Sequence, residues 1–206
     1  KAGAGTLTLS GNNTYTGLTT INAGTLKVTT NNALGTNAAG TVIGASGTLD
    51  LANVTYSTTE AITNSGTLST STGTSAYAGT MTLGADATID VDGTQLTIST
   101  AIGDGGNAYA ITKEGTGTLT LSGTNTFTGD TTISAGTLKL TGSLSSSTDL
   151  IVGSSGTLDL QTTQTFATLD LDGAISNTAN SSSFTITGAA SMQGTATTTG
   201  TQTYSG

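Results

Sequence analysis

A 28-residue segment that occurs twice constrains this chain of 206 residues more than any other feature. Residues 1–28 and residues 113–140 align without a gap and differ at only seven positions. Within and beyond both copies, a Gly-Thr-Leu-x-Leu/Val phrase returns about every 19–23 residues. A short period of this kind is typical of solenoids, whose repeats are stable only when they stack on their neighbours. We therefore expect a single domain over residues 1–206, built from duplicated blocks of about 1–112 and 113–206.

The repeated phrase has the alternation of a half-buried β-strand. Leu26 and Val28 point to one side of such a strand, while Thr25 and Lys27 point to the other. The same parity places six further leucines inside: Leu49, Leu51, Leu138, Leu140, Leu158 and Leu160. It places three charged residues outside: Asp50, Lys139 and Asp159. A step of 19–23 residues accommodates three short strands and three bends. The sequence therefore predicts an all-β fold, a right-handed parallel β-helix of about ten coils and on the order of 50 Å in length.

A glycine opens each phrase, at Gly5, Gly24, Gly47, Gly66, Gly117, Gly136 and Gly156. Glycine adopts positive φ without steric cost. We expect these residues to form the corners between strands.

Composition excludes several classes of function. The formal net charge is −8, with four Lys and no Arg, so no basic stripe is available for nucleic acid. Without Cys or His, the chain lacks thiolate and imidazole ligands and cannot form a Ser-His-Asp triad. No apolar run is long enough to cross a membrane as a helix. We expect no cofactor, no metal, no catalytic residue and no membrane insertion by this segment, with the four Lys on solvated faces.

Residues 5–28, GTLTLSGNNTYTGLTTINAGTLKV, resemble the passenger-associated transport repeat of bacterial autotransporters. The segment of residues 192–204 is also similar to stretches of large filamentous-haemagglutinin-type adhesins. The resemblance implies an internal β-helical passenger segment of a longer protein, secreted by the type V route. It also implies an extracellular position at the surface of a Gram-negative cell.

The leading functional hypothesis is a non-enzymatic structural or adhesive shaft. Its partners would be neighbouring repeats, other copies of the chain in a fibre, or cell-surface glycans. Two alternatives use the same fold: a polysaccharide-cleaving enzyme and a Thr-rich ice-binding solenoid.

The enzymatic alternative depends on two pairs of carboxylates. Asp90 and Asp92, like Asp170 and Asp172, would lie about 7 Å apart along a strand, near the separation in inverting glycosidases. Asp92 and Asp172 each precede a glycine, however, and such dipeptides are typical of turns. Because no Arg or His accompanies these acids, we interpret them as turn and surface residues.

Three other patterns have structural interpretations. Residues 103–107, Gly-Asp-Gly-Gly-Asn, contain one unit of the pattern of calcium-binding β-rolls, which need it in tandem, so we expect a flexible loop between the blocks. Ice binding would need Thr-x-Thr, as in Thr6-Leu-Thr8, on successive coils. At the equivalent position of other coils the second Thr is replaced, by Lys27, Asp50, Ser69, Lys139 and Asp159. These replacements should interrupt the array.

Tyr15 and Phe127 occupy equivalent positions of the two copies, and both should pack into the core.

Overall fold

The computed structural model describes residues 1–177 and 181–205, which form 22 β-strands and no helix. None of these residues therefore contributes to a helix that could cross a membrane. The strands are β1 (Thr6–Leu9), β2 (Thr19–Val28), β3 (Thr41–Leu51), β4 (Thr55–Tyr56), β5 (Ile62–Asn64), β6 (Thr67–Thr70), β7 (Thr74–Tyr77), β8 (Met81–Leu83), β9 (Ala87–Val91), β10 (Gln95–Ile98), β11 (Ile102–Gly103), β12 (Ile111–Glu114), β13 (Thr118–Leu121), β14 (Thr131–Leu140), β15 (Leu150–Leu160), β16 (Gln164–Phe166), β17 (Leu169–Leu171), β18 (Ala174–Ser176), β19 (Phe184–Ile186), β20 (Ala190–Met192), β21 (Thr195–Thr197) and β22 (Gln202–Tyr204).

Every strand pairs in parallel with its equivalent one coil away, which produces three faces. Face 1 contains β1, residues 25–28 of β2, residues 48–51 of β3, β6, β9, β12, residues 131–133 of β14, residues 150–152 of β15, β17 and β20. Face 2 contains β4, β7, β10, β13, residues 137–140 of β14, residues 157–160 of β15, β18 and β21. Face 3 contains residues 19–21 of β2, residues 41–43 of β3, β5, β8 and β11, and the separate sheet of β16, β19 and β22 follows in the same chain order. The predicted parallel β-helix is confirmed.

The coils vary in length more than the phrase suggested. On face 1 the step is 19 residues from Thr6 to Thr25, 23 from Thr25 to Thr48 and 24 from Thr88 to Thr112. The 24-residue coil contains the loop between β11 and β12. The predicted range of 19–23 was therefore slightly too narrow, because this loop lengthens one coil without disturbing its strands.

The interior consists of the residues that alternation predicted. Leu26, Val28, Leu49 and Leu51 are at most 2% exposed. Their equivalents in the second block, Leu138, Leu140, Leu158 and Leu160, are buried as well. One continuous cluster of buried apolar side chains runs from Ile21 to Ile186, so each coil contributes to the same core.

The two copies of the repeated segment lie on different faces. Residues 25–28 belong to face 1, whereas the equivalent residues 137–140 belong to face 2. The change is visible at β12, which pairs with β9 on one side and with residues 131–133 of β14 on the other. The 112-residue offset between the copies therefore corresponds to five coils and one further strand.

The phrase-opening glycines serve two different purposes. Gly24 and Gly136 have φ values of 67° and 66°, as predicted for corners. Gly5, Gly66 and Gly117 lie in bends directly before a strand, as predicted, but without positive φ. The prediction was wrong for Gly47 and Gly156, which lie inside β3 and β15 and also lack positive φ. A Cβ on Gly117 would lie 2.0 Å from the carbonyl oxygen of Gly93. Close approach of successive coils, and not the backbone angle, requires glycine there.

The two equivalent aromatic residues differ in burial. Phe127 is fully buried, as predicted, and its N–H donates to the carbonyl of Ile102 in the preceding coil. Tyr15 is 40% exposed, so the prediction was wrong for this residue. It lies in the first coil of the structure, where its ring packs on Gly35.

Candidate functional site

Two columns of outward side chains run along face 1. The first column is threonine in seven consecutive coils: Thr6, Thr25, Thr48, Thr67, Thr88, Thr112 and Thr132. The second lies two residues further along each strand: Thr8, Lys27, Asp50, Ser69, Asp90 and Glu114. Neighbours within a column are about 4.8 Å apart because each belongs to the next parallel strand. Hydroxyls and charges therefore form straight rows along the axis.

The second column interrupts the Thr-x-Thr pattern, as predicted. Lys27, Asp50 and Ser69 follow Thr8 in register on face 1. On face 2, Lys139 and Asp159 follow Thr120 in the same way, so neither face presents a continuous double column of threonine.

A polar groove of about 520 Å³ lies over the two columns. It is lined by the first column from Thr6 to Thr88, by the second from Lys27 to Glu114, and by Ser71, which follows β6. We call it the face-1 groove. Ser69 also lines it, and its side chain alternates with the buried Leu68. Ser69 is only 7% exposed.

A charged network occupies the middle of the face-1 groove. The Asp50 carboxylate accepts hydrogen bonds from the Ser71 N–H at 2.9 Å and from the Ser71 hydroxyl at 2.6 Å. The Lys27 ammonium lies 3.5 Å from Asp50 Oδ2 and donates to the Ser71 hydroxyl at 3.2 Å. Asp50 points outward, as predicted, but it is only 3% exposed because these two side chains cover it.

Asp90 and Glu114 form the far end of the groove, adjacent to each other in register. Burial raises the pKa of Asp90 above its ordinary range, and the negative charges of Asp92 and Glu114 add to the effect. Neither Asp90 nor Glu114 forms an ion pair with any described residue. The nearby positive charge of Lys113 opposes the rise in the pKa of Asp90, so the negative charge at this end of the groove is partly compensated.

The second candidate pair of carboxylates does not join the first. Asp170 lies on face 1 in the column of Thr88, four coils further on, so it is about 19 Å from Asp90 along the axis. Asp92 and Asp172 lie in the bends after β9 and β17, as the Asp-Gly interpretation predicted. Among the described residues, no three Asp or Glu side chains are grouped closely enough to hold a metal ion.

Lys113 is in the core, which contradicts the prediction that all four Lys lie on solvated faces. It is 0% exposed and stands between Ile89 and Ile133 in one inward column. Its ammonium donates to three corner carbonyls, those of Glu114 at 2.6 Å, Gly115 at 2.8 Å and Ala135 at 3.2 Å. Burial lowers the pKa of Lys113 to about 8, although nearby carboxylates oppose that shift.

Lys1, the equivalent residue in the first copy, makes two of these three contacts. Its ammonium donates to the carbonyls of Gly3 at 2.6 Å and Ala23 at 2.8 Å, the equivalents of Gly115 and Ala135. The repeated segment thus begins with a lysine that ties two successive corners together. The signal was present in the sequence, since Lys113 has the same parity as the apolar Ile111.

The loop of residues 103–107 is tied to the next coil. The Asp104 carboxylate accepts hydrogen bonds from the N–H groups of Gly106 at 2.8 Å and Thr128 at 2.9 Å. These bonds lower the pKa of Asp104, and the bond from Thr128 joins the loop to the next coil. The loop residues therefore have a structural role here.

The stacked coils make this chain a parallel β-helix. The repeated segment makes it resemble the passenger of a bacterial autotransporter. The family model described as passenger-associated-transport-repeat matches residues 1–28 and 111–140, which confirms the resemblance found in the sequence. Over 146 residues, 70% of this chain, the sequence is 38% identical to the adhesin BmaC autotransporter of Brucella suis biovar 1 (strain 1330). The chain spans 4% of the length of that curated relative. No solved structure matches the chain at a significant level.

Proposed function

We propose that the chain is a non-enzymatic, adhesive shaft segment of a secreted autotransporter passenger, displayed on the surface of a Gram-negative bacterium. The observation that carries the proposal is the passenger-associated repeat at residues 1–28 and 111–140. Each copy contributes to consecutive coils of one β-helix. The relative whose printed name is an adhesin autotransporter supports the same function.

The mechanism would be mechanical and multivalent. Backbone hydrogen bonds between coils run along the axis, so the segment holds its outward columns in straight rows. Each row presents a hydroxyl or a charge about every 4.8 Å. Contacts that are individually weak add up when a partner meets many of them together.

Adhesion can be tested on the isolated chain. Beads coated with residues 1–206 should adhere to cell or polysaccharide surfaces more than beads coated with a β-helix of unrelated sequence. Brief treatment of intact bacteria with protease should remove the segment from the parent protein. Beads that do not adhere, or a segment that is protected in intact cells, would overturn the proposal.

The enzymatic alternative makes the opposite prediction. We expect no cleavage when the chain is incubated with a panel of polysaccharides. Cleavage by the native chain that disappears in Asp90→Asn would replace the adhesive proposal with an enzymatic one.

Self-association is the remaining part of the proposal. Its partners would be neighbouring repeats of a longer chain or other copies of this chain. Sedimentation at several concentrations should show assembly that grows with concentration. A monodisperse monomer at the highest concentration would contradict the fibre hypothesis.

A further inference from the structure

We propose that residues 57–60 form a pH-sensitive clasp, which is closed while the Glu60 carboxyl is protonated and opens when that carboxyl ionises. The segment lies between β4 and β5, in the third coil. Its opening would change the shape of one coil, whatever surface the shaft adheres to. Three observations support the clasp: the way the segment is held, the burial of Glu60 and the absence of a cation beside it among the described residues.

Residues 57–60 are held by side chains, whereas the strands on either side are held by backbone hydrogen bonds. Within the described part of the chain, no backbone group of these four residues bonds to another backbone group. On the outer surface, the Asn31 amide donates to the Ser57 hydroxyl at 2.9 Å and the Asn37 amide donates to the Thr59 hydroxyl at 3.2 Å. These exposed bonds compete with water and hold the segment weakly. Whether the segment stays closed therefore depends on its inner contact.

Glu60 is that inner contact. It is 0% exposed, and its Oε1 accepts a hydrogen bond from the Thr41 hydroxyl at 2.5 Å. Its Oε2 is buried and has no hydrogen-bond partner within the described residues. An ionised oxygen that is buried without a partner costs far more free energy than a neutral one. The closed segment therefore favours the protonated carboxyl, and ionisation favours an open segment in which water reaches Oε2.

No charge in the surroundings offsets that of Glu60. The ion pairs of the described residues involve other side chains, and residues 36–41 of the preceding coil contain no titratable group. The titratable groups that face Glu60 are the hydroxyls of Tyr56, in the same coil, and Tyr77, in the next. Burial raises the pKa of both tyrosines, that of Tyr56 to about 12, so both stay neutral while Glu60 titrates.

The closed clasp should weaken as pH rises. Burial raises the pKa of Glu60 in the closed segment, although the bond from Thr41 opposes that shift. In the open segment the carboxyl faces water and ionises near its ordinary value of about 4.3. Between these two pKa values opening releases a proton, so the open form gains population with increasing pH. Acid therefore keeps this coil closed, and neutral pH loosens it.

Site-resolved hydrogen exchange between about pH 4.5 and about pH 7 measures the opening. The Ser57 N–H reports on the clasp, because it donates to the Asn31 side chain at 3.0 Å. The Thr41 N–H is a second reporter, because it donates to the carbonyl of Ala61 at 2.8 Å. The Thr141 N–H, bonded to the preceding coil in the second block, is the internal control. Dividing the intrinsic rate at each pH by the observed rate gives a protection factor that reflects opening alone.

Two variants identify the titrating group. Glu60→Gln keeps the size of the side chain and an accepting oxygen but cannot ionise. Glu114→Gln is the matched control, because Glu114 is the other Glu of the chain and is exposed. In the native chain and in Glu114→Gln, we expect protection at the reporter amides to fall about fivefold or more over this range. In Glu60→Gln it should not change with pH, and protection of Thr141 should be constant in all three proteins.

The native chain alone can refute the clasp, so the test does not depend on the folding of a variant. Protection at Ser57 and Thr41 that is flat, or that rises with pH, would overturn the inference. A fall of the same size at Thr141 would mean that the whole chain loosens, which contradicts a local clasp. A Glu60→Gln profile parallel to the native one would assign the titration to another group and would overturn the inference as well.

Discussion

Lys27 and Lys139 occupy the same position of the repeated segment, yet they lie on different faces of the coil. Lys27 pairs with Asp50 on face 1, and Lys139 pairs with Asp159 on face 2, with Nζ–Oδ2 distances of 3.5 and 4.0 Å. The duplication advances the chain by five coils and one strand, so the second copy turns its charged column to another side. In a shaft built from several such blocks, this column would be presented on successive sides of the axis.

The two equivalent ion pairs should contribute unequally to stability. The side chains of Lys27 and Asp50 are 30% and 5% exposed, against 42% and 13% for Lys139 and Asp159. Solvent therefore screens the second pair more strongly. Double-mutant cycles with alanine, measured by urea unfolding at low salt, should give a coupling of about 1 kcal/mol for the first pair and below about 0.5 kcal/mol for the second. Equal couplings would contradict the difference in burial.

The buried ammonium of Lys113 should make stability rise with pH. Its pKa of about 8 in the folded chain lies below the ordinary lysine value of about 10.4 expected after unfolding. Between these two values the unfolded chain binds more protons, so the free energy of unfolding increases with pH, by up to about 3 kcal/mol. Urea unfolding at several values from pH 7 to about 9.5 measures the slope.

Two variants isolate this effect. Lys113→Met should remove the rise, because methionine fills the space without a titrating group. Lys139→Met is the control and should keep the rise, because Lys139 is on the outer surface. The range ends at about pH 9.5 because, from about pH 10 upward, ionisation of tyrosines in the unfolded chain acts in the opposite direction. Burial raises the pKa of Tyr56 to about 12, so its folded form stays neutral there. A flat native profile below that point would contradict the interpretation of Lys113.

Lys113 also shows where sequence patterns fail in this fold. Alternation predicted the inward position of Leu26 and Leu138 because a strand has only two sides. It gave Lys113 the same inward parity as Ile111, but lysine is normally exposed. The exception depends on carbonyl groups that include Ala135, 22 residues away, and a local pattern cannot supply them. Charged columns such as Asp90 with Glu114 likewise require the register of strands more than 20 residues apart.

Close approach between coils predicts a sharp response to one added methyl group. In Gly117→Ala the new Cβ would lie 2.0 Å from the carbonyl oxygen of Gly93. The coil cannot move away easily, because the Gly117 N–H donates to the carbonyl of Val91 at 2.7 Å. We expect a loss of about 2–3 kcal/mol in the free energy of unfolding. Gly17→Ala is the control, since nothing lies within 4 Å of its added Cβ, and it should change stability by less than about 0.5 kcal/mol. Similar losses in both variants would show that the contact at Gly93 is not limiting.

Cross-linking tests the change of face between the two copies. Thr112 lies beside Thr132 in one outward column of face 1, with the Cα atoms of such neighbours about 4.8 Å apart, within the range that a disulfide spans. If the second copy had kept the face of the first, Thr137, the equivalent of Thr25, would stand next in that column. Thr137 instead pairs with Thr118 on face 2. The chain has no cysteine of its own, so oxidation of Thr112→Cys/Thr132→Cys should give one cross-linked product, identified by mass spectrometry of its peptides. The matched variant Thr112→Cys/Thr137→Cys should remain reduced under the same conditions. The reverse result would mean that both copies share a face, and that the offset between them is a whole number of coils.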